Sequence, residues 1–232
     1  MMWILVITCI IMLIIFFIWY FIYMRELHGS DYVLSGNNHI DVDKLMIVAH
    51  PDDELIFGGR ELLSEPGWLV VCVTNGTNNA GNIFSFEPAI KRCHEFIKIA
   101  NLVGFRYEVW DFEDNGFNSN WPDSLIRSKI KQLLSRQKYT KIVTHNLNGE
   151  YGHRQHKKIS RIVHDFEPEN LFTFSFVSQA ESMGNLSDLT TNPHIEKLED
   201  LIKEYESQAK IVDKYRTNLL YQHIEPAKFK KL

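Results

Sequence analysis

The chain has 232 residues, of which 45% are hydrophobic, enough to bury one full core in a single domain. A formal net charge of -4 offers no broad basic surface, which argues against nucleic acid as a partner. Cys9, Cys72 and Cys93 are odd in number and contain no Cys-x-x-Cys, which excludes a disulfide framework and a thiolate metal knuckle.

Residues 1–24 carry no charged side chain. From Trp3 to Tyr23 the run is apolar and long enough to cross roughly 30 Å of hydrocarbon as a helix. Trp19, Tyr20 and Tyr23 gather at one end, as interfacial aromatics do. A cleaved signal peptide would want a basic start, a shorter apolar stretch and small residues at the cut, and none is present. The expectation is an uncleaved transmembrane anchor over 1–24. Arg25 and Lys44 follow it, so the positive-inside rule places the rest of the chain in the cytoplasm. The sequons Asn75-Gly76-Thr77 and Asn185-Leu186-Ser187 would mark a lumenal face if used, but a glycan on Asn75 would obstruct the site proposed below. Residues 25–42 are polar, with Gly29, Ser30 and Gly36, and read as a juxtamembrane linker to a domain over 43–232.

Within that domain, strands and helices alternate. The short run Leu45–Val48 is rich in branched residues and reads as a buried strand. A helix is predicted over Glu54–Ser64, a strand over Trp68–Val73, and a helix over Pro88–Val103 that stops at Gly104. Then come a strand over Tyr107–Phe112, a helix over Pro122–Arg136 and a strand over Lys141–Thr144. A helix after the glycine-rich loop Gly149–Gly152 and a strand over Leu171–Val177 complete the series. A last long helix, about His194–Leu220, is expected to pack across an edge. Repeated units of this kind predict an α/β fold, a Rossmann-like, mostly parallel sheet with helices on both faces.

Two stretches carry chemistry, and each falls just past the carboxyl end of a predicted strand, where open α/β sheets bind ligands. The first is His50-Pro51-Asp52-Asp53-Glu54, one imidazole and three carboxylates crowded at a turn. Such crowding is costly without a cation, although a His satisfied by a carboxylate in a polar turn would have the same sequence. The second is His145-Asn146-Leu147-Asn148-Gly149-Glu150-Tyr151-Gly152-His153-Arg154-Gln155-His156. With ten histidines in the chain, His-x-x-His alone carries little weight; its position beside the first stretch gives it more. His50, Asp53 and His156 make two imidazoles and a carboxylate, a donor set suited to Zn²⁺ with one position left open. Asp52 and Asp53 are adjacent, so one ligates and the other is free to accept a proton from a water. His153, one helical turn from His156, can face the same substrate and stabilise an oxyanion or protonate a leaving amine. The chemistry indicated is hydrolysis of a carbonyl or acyl bond.

His50-Pro51-Asp52-Asp53-Glu54 together with Gly149-Glu150-Tyr151-Gly152-His153-x-x-His156 resembles the PIG-L, or LmbE-like, deacetylases, over roughly Lys44 to Leu220. Weaker marks are Arg92-x-x-Glu95, Asp114-Asn115-Gly116 and Tyr205-Glu206-Ser207-Gln208. The resemblance implies zinc ligands His50, Asp53 and His156, with Asp52 as general base. It also implies His153 as electrostatic or acid partner, and Tyr151 as a mobile contact to the transition state. Arg92 and Asp114 would bind substrate hydroxyls or phosphate, although a surface charge and a turn former would look the same. Gln155 stands where many members carry Asp. The family's eukaryotic branch deacetylates N-acetylglucosaminyl-phosphatidylinositol in GPI-anchor synthesis, from a membrane-anchored, cytosol-facing domain on the endoplasmic reticulum. A lipid-linked N-acetylglucosamine conjugate is therefore the leading substrate. The alternatives are a soluble or wall-linked aminosugar, or an inactive metal-binding module held at a membrane.

Overall fold

The computed structural model describes residues 8, 10–19, 33–78, 86–114, 116, 119–177 and 190–229. Seven strands form one mixed sheet in the order β1-β4-β3-β2-β5-β6-β7. They are β1 (Val33–Gly36), β2 (Lys44–Val48), β3 (Trp68–Asn78), β4 (Arg106–Asp114), β5 (Lys141–Thr144), β6 (Leu171–Phe174) and β7 (Ile224–Pro226). The five central strands are parallel; β1 and β7 close the two edges antiparallel to β4 and β6. The chain runs from β2 outward through β3 and β4, then returns to the other side of β2 for β5 and β6. The order therefore reverses between β2 and β5, and their carboxyl ends border the crevice where such sheets take ligands.

Alternation along the central strands explains the layers. Met46, Val48, Val70 and Cys72 pack in one core with Phe96, Ile99 and Ala100 of helix α3 (Phe86–Val103). Leu45, Ile47, Leu69 and Val71 face the other way, against Ile126, Ile130 and Leu133 of α4 (Asp123–Ser135) and Ile159, Ile162 and Val163 of α5 (Arg154–Asp165). Because both faces are covered, these strands are continuous hydrophobic runs rather than alternating ones.

Four expectations change. Val33–Gly36, inside the stretch read as linker, is an edge strand, so ordered structure begins ahead of Asp43. The helix expected over Glu54–Ser64 is two, α1 (Asp53–Ile56) and α2 (Gly59–Ser64), broken where Gly58 packs against Met46. The strand from Leu171 ends at Phe174. The long last helix is three short ones, α6 (Ile195–Ile202), α7 (Ala209–Lys214) and α8 (Arg216–Leu220), with a 3-10 turn at Glu206–Gln208. Leu198, Leu201, Tyr205 and Leu219 of this segment cover Leu55 and Leu62 on one face of the sheet rather than its edge.

The expected membrane span falls only partly on described residues. Residues 10–19 are helical, with side chains from Ile10 to Trp19 more than half exposed on every face. Among the described residues no helix is long and apolar enough to cross a membrane. The second sequon, at Asn185, and Asn115 lie outside the described residues.

Candidate active site

The β2 loop turns abruptly. Asp52 has φ 113°, a conformation that L-residues rarely adopt. The backbone N–H of His50 donates to Asp53 Oδ2 at 2.8 Å, and that of Asp52 to Glu54 Oε2 at 2.9 Å. The turn thus folds its own carboxylates back onto its amides. The β5 loop is built differently. Asn146 Oδ1 accepts the N–H groups of Asn148 and Glu150, and Gly149, Glu150 and Gly152 all have positive φ. At Gly149 a Cβ would come 2.5 Å from the His153 carbonyl, so only glycine fits.

Between these loops the donor atoms assigned from sequence meet. His50 Nδ1 lies 3.2 Å from Asp53 Oδ2 and 3.2 Å from His156 Nε2, and the latter two are 3.3 Å apart. All three residues are buried. The second partner of each imidazole fixes its tautomer. His50 Nε2–H donates to Gln155 Oε1 at 2.5 Å, and the Gln155 amide is oriented by donating to the Glu113 carbonyl at 3.1 Å. His156 Nδ1–H donates to Glu150 Oε2 at 2.6 Å. Two imidazole nitrogens and a carboxylate oxygen therefore converge, and a metal ion there would compete with a proton on His156 Nε2. Such a triangle is repulsive unless a positive charge sits against it. Its edges match the roughly 3.3 Å separating tetrahedral ligands with bonds of about 2.0–2.1 Å. The same field pushes the His156 imidazole up to about 10 despite its burial, chiefly through Asp53. The residues present fit a divalent cation.

Two other His and carboxylate groupings are close enough to hold an ion: His50, His153 and His156, and Asp53, His145 and His156. His145 already uses both nitrogens. Nε2 accepts the Ala49 N–H at 2.9 Å and Nδ1–H donates to Glu150 at 3.0 Å. His153 stands with its ring centroid 4.7 Å from His50 and 4.4 Å from His156, at the head of α5. Burial and the His156 and His50 charges push its imidazole down to about 2, leaving it neutral.

The adjacent carboxylates have separate environments. Asp53 faces the imidazoles, which outweigh its burial and hold it ionised. Asp52 Oδ1 accepts from Arg92 Nη2 at 2.9 Å, while Oδ2 is buried with no hydrogen-bond partner among the described residues. Burial pushes this carboxyl up to about 6 against the pull of Arg92. Arg92 also donates to the Pro51 carbonyl at 2.8 Å and to Asp114 Oδ2 at 3.1 Å. Arg92 and Asp114, expected at the substrate, are thus bonded to each other and to the loop. Asp114 Oδ1 lies 3.6 Å from His50 Nε2. Tyr151 packs edge-on to His153 and His156 and stacks on Tyr215 at 4.8 Å. Burial and the nearby Asp53 charge push its phenol up, so it remains a donor.

Sequence reasoning assigned no role to His145, Glu150 or Glu54. Glu150 bridges His145 and His156; the two imidazoles outweigh its burial and hold it down to about 2. Glu54 is fully buried and accepts the Tyr205 hydroxyl at 2.5 Å. Glu95 accepts the N–H and the hydroxyl of Ser207. The weaker marks Arg92-x-x-Glu95 and Tyr205-x-Ser207 therefore clamp the β2 loop from two sides. Their signal was a set of charged and hydroxyl residues on otherwise apolar helix faces.

A family model described as PIG-L, GlcNAc-PI de-N-acetylase, matches residues 45–167. An uncharacterized protein of Acanthamoeba polyphaga mimivirus is 42% identical over 209 residues, covering 88% of this chain and 86% of that protein. Among solved structures, the N,N'-diacetylchitobiose deacetylase of Pyrococcus horikoshii has a TM-score of 0.57 at 17% identity, covering 87% of this chain and 90% of that one. The 4-carboxy-2-hydroxymuconate hydratase GalB of Pseudomonas putida KT2440 reaches 0.53 at 15% identity, over 82% of this chain and 100% of that one. Likeness at such identities is likeness of fold, and a hydratase among the neighbours shows that the fold alone does not set the reaction. The family match and the mimivirus relative do more: this chain belongs to the PIG-L (GlcNAc-PI de-N-acetylase) family.

Proposed function

We propose that the chain is a zinc-dependent de-N-acetylase acting on the acetamide of an N-acetylglucosamine conjugate, with N-acetylglucosaminyl-phosphatidylinositol as its substrate at a membrane. The observation that carries the reading is the triangle of His50 Nδ1, Asp53 Oδ2 and His156 Nε2, three potential ligand atoms 3.2–3.3 Å apart. Two nitrogens and one oxygen at this spacing suit Zn²⁺. Bound there, the ion would supply Lewis acidity, polarising the acetamide carbonyl and acidifying water.

The remaining work falls to the protein's own side chains. Asp52 Oδ2, unpartnered beside the triangle, is placed to take the proton of the attacking water. A carboxyl near 6 is a competent base at neutral pH. Arg92 fixes the other oxygen, so only one face of Asp52 is available. Neutral His153 and the protonated Tyr151 phenol border the site and can each donate to an oxyanion. Membrane attachment is supported by the uncharged stretch 1–24 and by the helical residues 10–19, apolar and exposed on every face. A tether of this kind raises the effective concentration of a lipid-linked substrate.

The test is acetate release by the detergent-solubilised, zinc-loaded full chain. Release from N-acetylglucosaminyl-phosphatidylinositol in mixed micelles, abolished by chelation and restored by zinc, is expected. Silence on every N-acetylglucosamine conjugate would sink the enzyme reading. Equal turnover of soluble and lipid-linked conjugates would replace the substrate with a soluble aminosugar.

A further inference from the structure

Helix α5 presents two opposed faces. Its inner face carries Gln155, His156, Ile159, Ser160, Ile162 and Val163, all buried. Its outer face carries Arg154, Lys157, Lys158 and Arg161, at the i, i+3, i+4, i+7 spacing of a single stripe. With Ser119, Asp123 and Arg127 across the gap to α4, these residues line a groove of about 560 Å³. Five cations and one carboxylate line it, in a chain whose net charge is -4.

The cations fall into two kinds. Arg127 is paired with Asp123 at 2.7 Å and Asp165 at 2.8 Å, and Lys158 donates to the carbonyls of Ser119 and Trp121. These two form the fixed rim. Arg154, Lys157 and Arg161 have no ion-pair partner among the described residues. Both the spacing and the position of these charges are unfavourable. Like charges at this spacing destabilise a helix. The first turn of α5 contains no acidic residue, and Arg154 and Lys157 sit at the end where the helix dipole disfavours cations. An anion between them relieves both penalties. Lys157 also reaches toward the catalytic loop: its Nζ is 4.0 Å from where a Cβ on Gly152 would stand.

We infer that this groove is a phosphate-binding site, in which Arg154, Lys157 and Arg161 hold a phosphate ester across the rim set by Arg127 and Lys158. Arg154 directly follows His153, and Lys157 packs beside Gly149 and Gly152, so one end of the groove borders the loop that carries the site. In taking the substrate's own phosphate, the assignment rests on the substrate reading given above.

The experiment uses the zinc-loaded full chain in detergent, as wild type and as the triple variant Arg154→Gln, Lys157→Gln, Arg161→Gln. Three quantities are measured: binding of inorganic phosphate, binding to neutral-detergent micelles doped with phosphatidylinositol or phosphatidylcholine, and acetate release from an uncharged soluble N-acetylglucosamine conjugate. The expected result is at least a tenfold loss of affinity for a phosphate probe in the triple variant, steeper at low salt because Arg154 and Arg161 are exposed, with turnover of the uncharged conjugate unchanged. Loss confined to inorganic phosphate assigns the site to soluble phosphate esters. Loss on phosphatidylinositol but not phosphatidylcholine micelles assigns it to an anionic lipid phosphodiester. Equal affinity of the two proteins for every probe overturns the inference. If neither protein releases acetate while phosphate binding still depends on the stripe, the deacetylase reading falls and the groove stands.

Discussion

The two loops that meet over the β2–β5 crevice reach rigidity by opposite routes. The β2 loop is strained at Asp52 and held from outside, by Arg92 on α3 and by Tyr205 through Glu54. The β5 loop is held from within, by Asn146 and Glu150 bonding to its own amides and imidazoles. The difference follows from what each contributes. A turn that crowds three carboxylates into five residues spends its own His50 and Asp52 amides on Asp53 and Glu54, so the further cations and hydroxyls must come from elsewhere in the chain. A loop of histidines needs one carboxylate, and Glu150 supplies it locally. Perturbing the two loops should therefore have different signatures: on the proposed assignment the base, a metal oxygen and stability on one side, imidazole basicity and its effect on metal affinity on the other.

The largest effect separates the adjacent carboxylates of the β2 loop. On the proposed assignment Asp53→Asn replaces a ligand oxygen by a neutral amide and is expected to lose zinc and activity together, by metal analysis and acetate release. Asp52→Asn removes proton acceptance and the charge paired with Arg92, but no ligand of the proposed metal. It is expected to keep zinc while turnover drops roughly 10² to 10⁴-fold. If Asp52→Asn loses the metal and Asp53→Asn keeps it, the two roles are reversed.

On the β5 side the effect is smaller and falls on the metal. Glu150 Oε2 accepts from both His145 and His156 while Oε1 accepts the Asn146 N–H; Gln loses the charge and offers one oxygen for these three donors. Glu150→Gln is expected to weaken zinc binding by about 10- to 100-fold, measured by chelator competition. An unchanged zinc affinity would reduce Glu150 to a loop brace.

This contrast also explains what the sequence could reveal. The continuous apolar runs carried the parallel sheet and its layers, because both faces of β2 and β3 are buried. The contiguous string His50–Glu54 was legible because the β2 loop gathers its chemistry within five residues. The partners of that chemistry were not legible, since Arg92 and Tyr205 join it across 40 and 151 residues. Nor was Glu150 legible as a bridge, because its role depends on two ring tautomers that no spacing encodes. The three-part C-terminal segment was read as one helix for a related reason. Its apolar periodicity persists, while Tyr205 leaves helical geometry at φ -83° and ψ 58°, its hydroxyl bonded to Glu54.

The smallest effect tests the external clamp, and it depends on pH. Glu54 is fully buried, and burial pushes its carboxyl up to about 8, against a lowering from the Tyr205 hydroxyl and the Asp52 N–H. A folded-state value above the unfolded one means the folded protein binds the extra proton. Glu54 therefore stabilises the fold most at low pH, and that contribution fades as pH rises from the usual Glu range through about 8. Tyr205→Phe removes a donor that matters most to the ionised carboxylate, so the folded value should move further up. Below neutrality the variant loses a bond to a neutral acid, at a cost of about 1 kcal/mol. Above about pH 8 it strands a buried charge with one donor fewer, and the cost should rise toward about 3 kcal/mol. Thermal unfolding of the zinc-loaded wild type and variant across this range should show the gap in Tm widening with pH. A gap that stays constant or narrows would mean that the Tyr205 hydroxyl fills space against α1 without steadying the Glu54 charge.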